Sequence, residues 1–550
     1  MSLPAYHLHP IPAETARVAR AAFPKGTVYM KMRDELGQLY DDTVFAALFP
    51  AQGQPAAPPW RLALILVMQF AEGLSDRQAA DAVRARIDWK YALGLELTDS
   101  GLDASVLSEF RSRVVVGGVE QVLLDTMLAR FRDRGLLKAG GRQRTDSTHV
   151  LTAARGLTRL ECAGETLRHA LNSLAAAAPD WLREHLAPAW IERYGPRLQD
   201  ERLPQAATAR QALAEQVGTD GIDLLTAVDA ETTAFVWLRE VPAVQTLRRV
   251  WIQQYQLTAD GAVHWRQGED LPPAGQMLNS PYDEDARYST KRSTSWIGYK
   301  THVTETCDPG CPHLITNVET TLAPTPDRTM TDPIQEDLAT KDLLPAEHDV
   351  DAGYVDGATL VSSQRRGVDL VGPAPVDNHW QARAGRGFDA GNFTLDWTEE
   401  RATCPGGKTS TKWSETHDGR GHPIVNIRFA RADCLACPHR ACCTTSREGP
   451  REITVRPREQ HLALQAARAR EATPEFKAAY NARAGVEGTI SQAVRVCAIR
   501  QARYVGLAKV NLEHILMAAA LNLRRVAAWW EGMPLAQTRQ ARFVALAIAS

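Results

Sequence analysis

The sequence predicts an α/β protein. A mixed-sheet core is interrupted by a helical insertion and a Cys-rich insertion, and an all-α N-terminal domain precedes it. Three observations carry this expectation. Apolar residues recur with helical spacing through most of 57–140 and again across 157–255. Short β-branched or alternating segments fall at 144–150, 295–306, 313–322, 347–352 and 368–372, with helices between the later ones, as in a mixed α/β sheet. Five of the nine cysteines crowd into residues 404–443, in a Gly- and charge-rich stretch with little periodicity.

The chain has 550 residues, well above the size of a single core, so several domains or large insertions are expected. Hydrophobic residues at 44% and charged residues at 23% are ordinary for a globular protein. A net charge of −2 excludes a globally basic nucleic-acid binder, so any basic surface must be local. One local excess lies from Ser491 onward: Arg495, Arg500, Arg503, Lys509, Arg524, Arg525, Arg539 and Arg542 against Glu513 and Glu531. The first ten residues lack the pattern of a signal peptide, and the most apolar run, 62–71, is too short to span a bilayer. The clustered cysteines are unlike a disulfide framework, so a reduced, cytoplasmic protein with no membrane partner is expected.

In order, residues 1–56 read as an N-terminal arm with one helix near 12–22. Residues 57–140 read as a helical domain of the helix-turn-helix kind. Pro58 and Pro59 open its first helix and Gly73 stops it; Ser75 caps a second that runs to about 95. A third begins near Asp103 or Ser105, and a fourth spans 119–134. Gly140-Gly141 breaks the helical pattern before the strand that carries Asp146. The core is expected in three pieces, 141–152, 291–395 and 463–530, separated by a mainly helical insertion at 153–290 and the Cys-rich insertion at 396–462; a tail covers 531–550.

Asp146 on the first strand, Asp351 at the end of a later strand and Glu487 on a late helix can converge at one sheet edge. Asp349 and Asp356 compete for the second position. Three such carboxylates suit two Mg²⁺ or Mn²⁺ ions about 4 Å apart, arranged for in-line displacement at phosphorus. Tyr480, Arg483 and Glu487, three and then four residues apart, would share one face of a single α-helix.

The blocks RTDSTHV, VDAGYVDGATL and Tyr480-x2-Arg483-x3-Glu487 resemble the three acidic blocks of the DDE transposases of bacterial insertion sequences. The resemblance is strongest to the eleven-eighty-two branch of the larger group that includes insertion sequence five. GLSDRQAADAV, LSEFRSR, WIGYKTHVTET, CPGG with CLACPHRACCT, and YVGLAKVNLEHILMAAALNLRR agree in order, covering about 57–530. The resemblance implies an RNase H-like core in which Asp146, Asp351 and Glu487 hold the metal ions, accompanied by Tyr480 and by Arg483 on a DNA phosphate. It also implies double-stranded DNA partners (terminal inverted repeats and target), strand cleavage with 3′-hydroxyl strand transfer, a homodimer or higher multimer, and a nucleoid-associated bacterial protein. The alternatives are a transposase-derived DNA-binding protein without catalysis and a metal-dependent nuclease without strand transfer. Val494 stands where the family often carries a basic residue, seven positions after the glutamate; Arg495 follows it.

Cys434-x2-Cys437 is spaced as a zinc hairpin, and Cys404-Pro405-Gly406-Gly407 resembles a second, half-used knuckle, so a structural Zn²⁺ is expected. Cys442 and Cys443 both compete for the fourth place, with Cys443 favoured by the family block and His439 a remote alternative. For DNA contacts the candidates are Arg111, Arg113, Lys300, His302 and Arg495, all through the phosphate backbone.

Overall fold

The computed structural model describes residues 2–3, 10–50, 52–375, 379–384 and 387–533. Most of the tail expected over 531–550, with Arg539 and Arg542, therefore lies outside the described residues.

A six-stranded mixed sheet forms the centre: β1 (Arg142–Leu151), β2 (Arg287–Lys291), β3 (Thr294–Thr306), β4 (Ile315–Leu322), β5 (Glu347–Asp349) and β6 (Asp369–Val371). β1 pairs antiparallel with β3 on one side and parallel with β5 on the other, and β5 pairs parallel with β6. The far edge of β3 is shared, β2 against its first residues and β4 against the rest. Gly298 sits between these two pairings at φ 151°, where a Cβ would stand 2.1 Å from the Val150 carbonyl oxygen. Only glycine lets β1 and β3 approach there.

The helices expected in the N-terminal region are present, with changes at their ends. Ser75 accepts from Gln78 N and Gln78 reciprocates, a full capping box. Asp103, not Ser105, caps the third helix. The second helix is two, Asp76–Ala85 and Ile87–Leu93, because Arg86 is extended at φ −94°, ψ 122°. The domain expected over 57–140 does not keep a separate core. Helix α1 (Pro59–Glu72) is buried almost all round and packs against the last helix (Leu507–Trp530). One apolar cluster runs from Trp60 and Phe70 through Val303 and Ile315 to Leu516 and Leu521. A helix covered on all sides cannot lie in a DNA groove, so α1 is scaffold.

Two regions do have cores of their own. Five α-helices between Arg159 and Gln254 enclose a second cluster, including Leu167, Val217, Leu247 and Trp251. Residues 393–455 form a third around Phe393, Val425, Ile427, Phe429, Ile453 and Val455. The strands there, Ser410–His417, Pro423–Phe429 and Glu452–Val455, make an antiparallel sheet that the weak periodicity concealed. β2 likewise falls inside the stretch expected to be insertion, since Arg287–Lys291 completes the hairpin with β3.

Candidate active site

Along β1 successive side chains point to opposite faces, so Arg142, Arg144, Asp146 and Thr148 share one. Each of them meets the late segment 479–500. Arg142 Nη2 donates to Ala479 O (2.7 Å) and Arg144 Nη1 to Ala482 O (2.5 Å). Asp146 Oδ2 accepts from Arg483 Nη2 (2.7 Å), and Thr148 Oγ1 accepts from Arg500 Nε (2.9 Å). A Cβ on Gly485 would stand 2.0 Å from Arg144 Nη1, so a residue without a side chain is needed where the segment crosses the strand.

This segment is not the single α-helix expected. A 3₁₀ turn, Asn481–Ala484, separates the helix Pro474–Tyr480 from α2 (Gly485–Cys497). Arg483 lies over the Tyr480 ring on one side and near Glu487 on the other. Tyr480 Oη donates to Val350 O (3.2 Å) and its ring stacks on Phe476. Burial pushes the Tyr480 phenol up to about 12. The Glu487 side chain is 68% exposed, its Oε1 3.8 Å from Arg483 Nη1. Arg483 thus lies between Asp146 and Glu487, and its buried Nε has no hydrogen-bond partner among the described residues.

Asp351 lies two residues beyond β5, in a turn rather than on the strand, and accepts from Gly353 N (2.8 Å). Its competitors are otherwise engaged. Asp349 is buried and holds Arg142 through both oxygens (2.7 and 3.0 Å), while Asp356 caps the helix Gly357–Arg365. Burial raises the Asp146 carboxyl, Arg483 and the Ser147 N–H oppose it, and the charge of Asp351 adds to the rise. The two aspartates therefore interact electrostatically.

The sequence expectation missed Asp327. Ser147 Oγ donates to its Oδ2 (3.3 Å) and Lys300 Nζ to its Oδ1 (2.8 Å), and Lys291 Nζ stands 3.9 Å away. A Cβ on Gly353 would sit 2.9 Å from Asp351 Oδ1 and 3.1 Å from Asp327 Oδ2, which places those two acids side by side. Asp327 is held below the usual carboxylate range: burial raises it, but Lys300 outweighs that. Only its packing against β3 reveals it, since no spacing in TPDRTM points to the site.

The DNA-contact candidates fare unevenly. His302 is buried, bonded to Tyr354 Oη (2.6 Å) and Thr321 Oγ1 (3.3 Å), and burial pushes its imidazole down to about 3, so it is neutral and out of reach of DNA. Lys300 is engaged by Asp327 and Thr325 O. Arg111 is buried in a two-pronged pair with Asp76 and lies over the Tyr504 ring. Arg113 pairs with Glu109 (2.7 Å). Arg111 thus ties two helices together, whereas the Arg113 pair lies within one helix and is partly exposed. Arg495 is exposed, whereas Val494 packs on the core.

Among the described residues, no group of three or more His, Cys, Asp or Glu side chains is gathered tightly enough to hold a metal ion. Asp146, Asp351 and Glu487 offer carboxylate oxygens, the donor type that Mg²⁺ and Mn²⁺ take, and the Arg483 guanidinium occupies the space between Asp146 and Glu487. The cysteines behave differently. Cys404, Cys434, Cys437 and Cys443 line one cavity of about 330 Å³, while Cys442 is exposed.

Residues 403–527 match a family model described as a transposase DDE domain, and residues 18–113 match one described as a transposase domain, DUF772. Neither a curated protein nor a solved structure matches the chain. Both matched models are transposase models, and together they support a transposase. The first narrows that support to a DDE transposase. Glu487 and the four clustered cysteines fall within the first match; Asp146 and Asp351 lie outside both. No helix among the described residues is long and apolar enough to cross a membrane.

Proposed function

We propose that this chain binds the ends of an insertion sequence and catalyses metal-dependent strand cleavage, followed by 3′-hydroxyl attack on target DNA. The observation that carries the proposal is Arg483, which donates to Asp146 and lies 3.8 Å from Glu487, while the charge of Asp351 acts on Asp146. The strand order supports an RNase H-like core: three antiparallel strands (β4 or β2, then β3, then β1) continue into parallel β5 and β6.

Asp146, Asp351 and Glu487 would hold two Mg²⁺ or Mn²⁺ ions, which, when bound, activate the attacking oxygen and stabilise the leaving one. Arg483 carries a planar fork suited to a phosphate, which would have to share it with Asp146 and Glu487. Tyr480 fixes the turn that aims Arg483 by gripping Val350 O, one residue before Asp351. Lys300 and Lys291 offset the charge of Asp327, so that it does not add a fourth uncompensated carboxylate. Synapsis of two DNA ends calls for a homodimer or higher multimer.

The test is cleavage of DNA carrying the element's own ends. Asp146→Ala, Asp351→Ala and Glu487→Ala each abolish Mg²⁺-dependent cutting and retain end binding; full cutting by any of them removes that residue from the site. Joined products separate a transposase from a nuclease that only cuts.

A further inference from the structure

We propose that Cys404, Cys434, Cys437 and Cys443 together bind one structural Zn²⁺ that closes the Cys-rich module. The four thiols come from three separate pieces of chain, and each piece is locally shaped to present its sulfur. Around Cys404, Gly407 N donates to Cys404 O and Cys404 N to Lys408 O (2.8 Å each), with Gly407 at φ 74°. This is a tight glycine-dependent turn that opens on Cys404. Cys434 lies in the short helix Arg431–Leu435, and Cys437 follows in the next turn. Cys443 ends the helix Arg440–Cys443.

A Cβ on Gly406 would lie 3.6 Å from Cys404 Sγ and 4.0 Å from Cys437 Sγ, so both sulfurs close on the same bare position. Arg451 N donates to Cys434 Sγ (3.3 Å), which fixes the direction of that sulfur. Cys443 lines the same cavity as Cys404, Cys434 and Cys437. Cys442, one residue away, is exposed, and the His439 ring is packed edge-on against Phe388.

None of the four thiols is in a disulfide. Four soft thiolates in a cavity of this size suit a closed tetrahedral Zn²⁺ site with no open position, which is a structural role. Among the described residues the four thiols are not gathered tightly enough to hold a metal ion, so binding would draw them in and release thiol protons to solvent. The gain is concrete, because the module's own core holds only seven buried hydrophobic residues. Its last strand, Glu452–Val455, leads directly into the helix Arg458–Glu471 and on to the segment bearing Arg483 and Glu487.

The experiment uses the full chain purified without added metal. Elemental analysis should find one zinc per chain, and an organomercurial should release it as the thiols react. Cys434→Ser and Cys437→Ser should each lose the zinc, while Cys442→Ser keeps it. Should the serine variants misfold, replacing Zn²⁺ by Co²⁺ in the unaltered chain should give the intense thiolate-to-cobalt charge-transfer and tetrahedral d–d bands of a four-sulfur site. Zinc-free protein with these cysteines free or disulfide-linked, or a six-coordinate cobalt spectrum, would overturn the proposal. None of these readouts involves DNA cleavage, so they stand apart from the catalytic reading.

Discussion

Two residues apart on the same face of β1, Arg144 and Asp146 anchor two carboxylate–guanidinium clusters of opposite character. At Arg144 the cluster is closed. Glu305, fully buried, is gripped by Arg144 (2.7 Å), Arg525 (2.7 Å) and Thr489, and Arg525 also reaches Gln492 and His313 O. Burial alone would raise the Glu305 carboxyl, yet Arg525 and Arg144 bring it below the usual range. At Asp146 the cluster is open. Its carboxyl is raised by burial, Glu487 projects into solvent, and Arg483 keeps an unpaired nitrogen. Saturated partners mark a structural charge group, and unsaturated ones mark groups held in readiness for something else.

The sharpest way to break this contrast is to neutralise each carboxylate in turn. Asp146→Asn should cut cleavage on the order of 10³-fold and shift stability by no more than about 1 kcal/mol, compared in a cleavage assay and a urea titration. Glu305→Gln should do the reverse to stability. Two buried guanidiniums lose their counter-charge, at a cost of about 3–5 kcal/mol, read as a lower denaturation midpoint. Arg483→Gln should reduce cleavage by about 10–10²-fold, the worth of one charge-assisted phosphate contact, with little change in melting temperature.

Acid should separate the clusters more gently. His302, His348 and His514 are buried and pushed down to about 3, 4 and 4 from an ordinary 6.5. The unfolded chain therefore takes up protons first, and stability should hold above about pH 6.5 and decline as pH falls towards those folded values. Glu305, depressed in the fold, adds to the loss at still lower pH, whereas Asp146, raised in the fold, works against it. Melting temperature against pH checks the sign. Arg495→Ala, on an exposed side chain, should change end binding least and mainly flatten its salt dependence.

Local rules read the sequence well wherever the cause was local. The Ser75 capping box, the Asp103 cap and the strand around Asp146 follow from residues adjacent in the chain. What escaped depends on distant partners. Asp327 joins the site through Lys300 and Ser147, and no nearby spacing signals it. Arg111 and His302 looked available for DNA, but Asp76 and Tyr354 claim them from 35 and 52 positions away. The 3₁₀ turn at Asn481–Ala484 also hides from periodicity, because Arg142 and Arg144 take the carbonyls of Ala479 and Ala482 from outside the segment.

The alternation along β1 makes that strand a ruler for the whole molecule. Large excursions separate β1 from β2 and β6 from α2, and their length is immaterial to the sheet as long as both ends return. Within β1 a single added or deleted residue between Arg144 and Asp146 would turn one of them to the opposite side. Such a chain would lose either the clamp on the late segment or the carboxylate it presents, so ten residues leave no freedom of length while hundreds around them do.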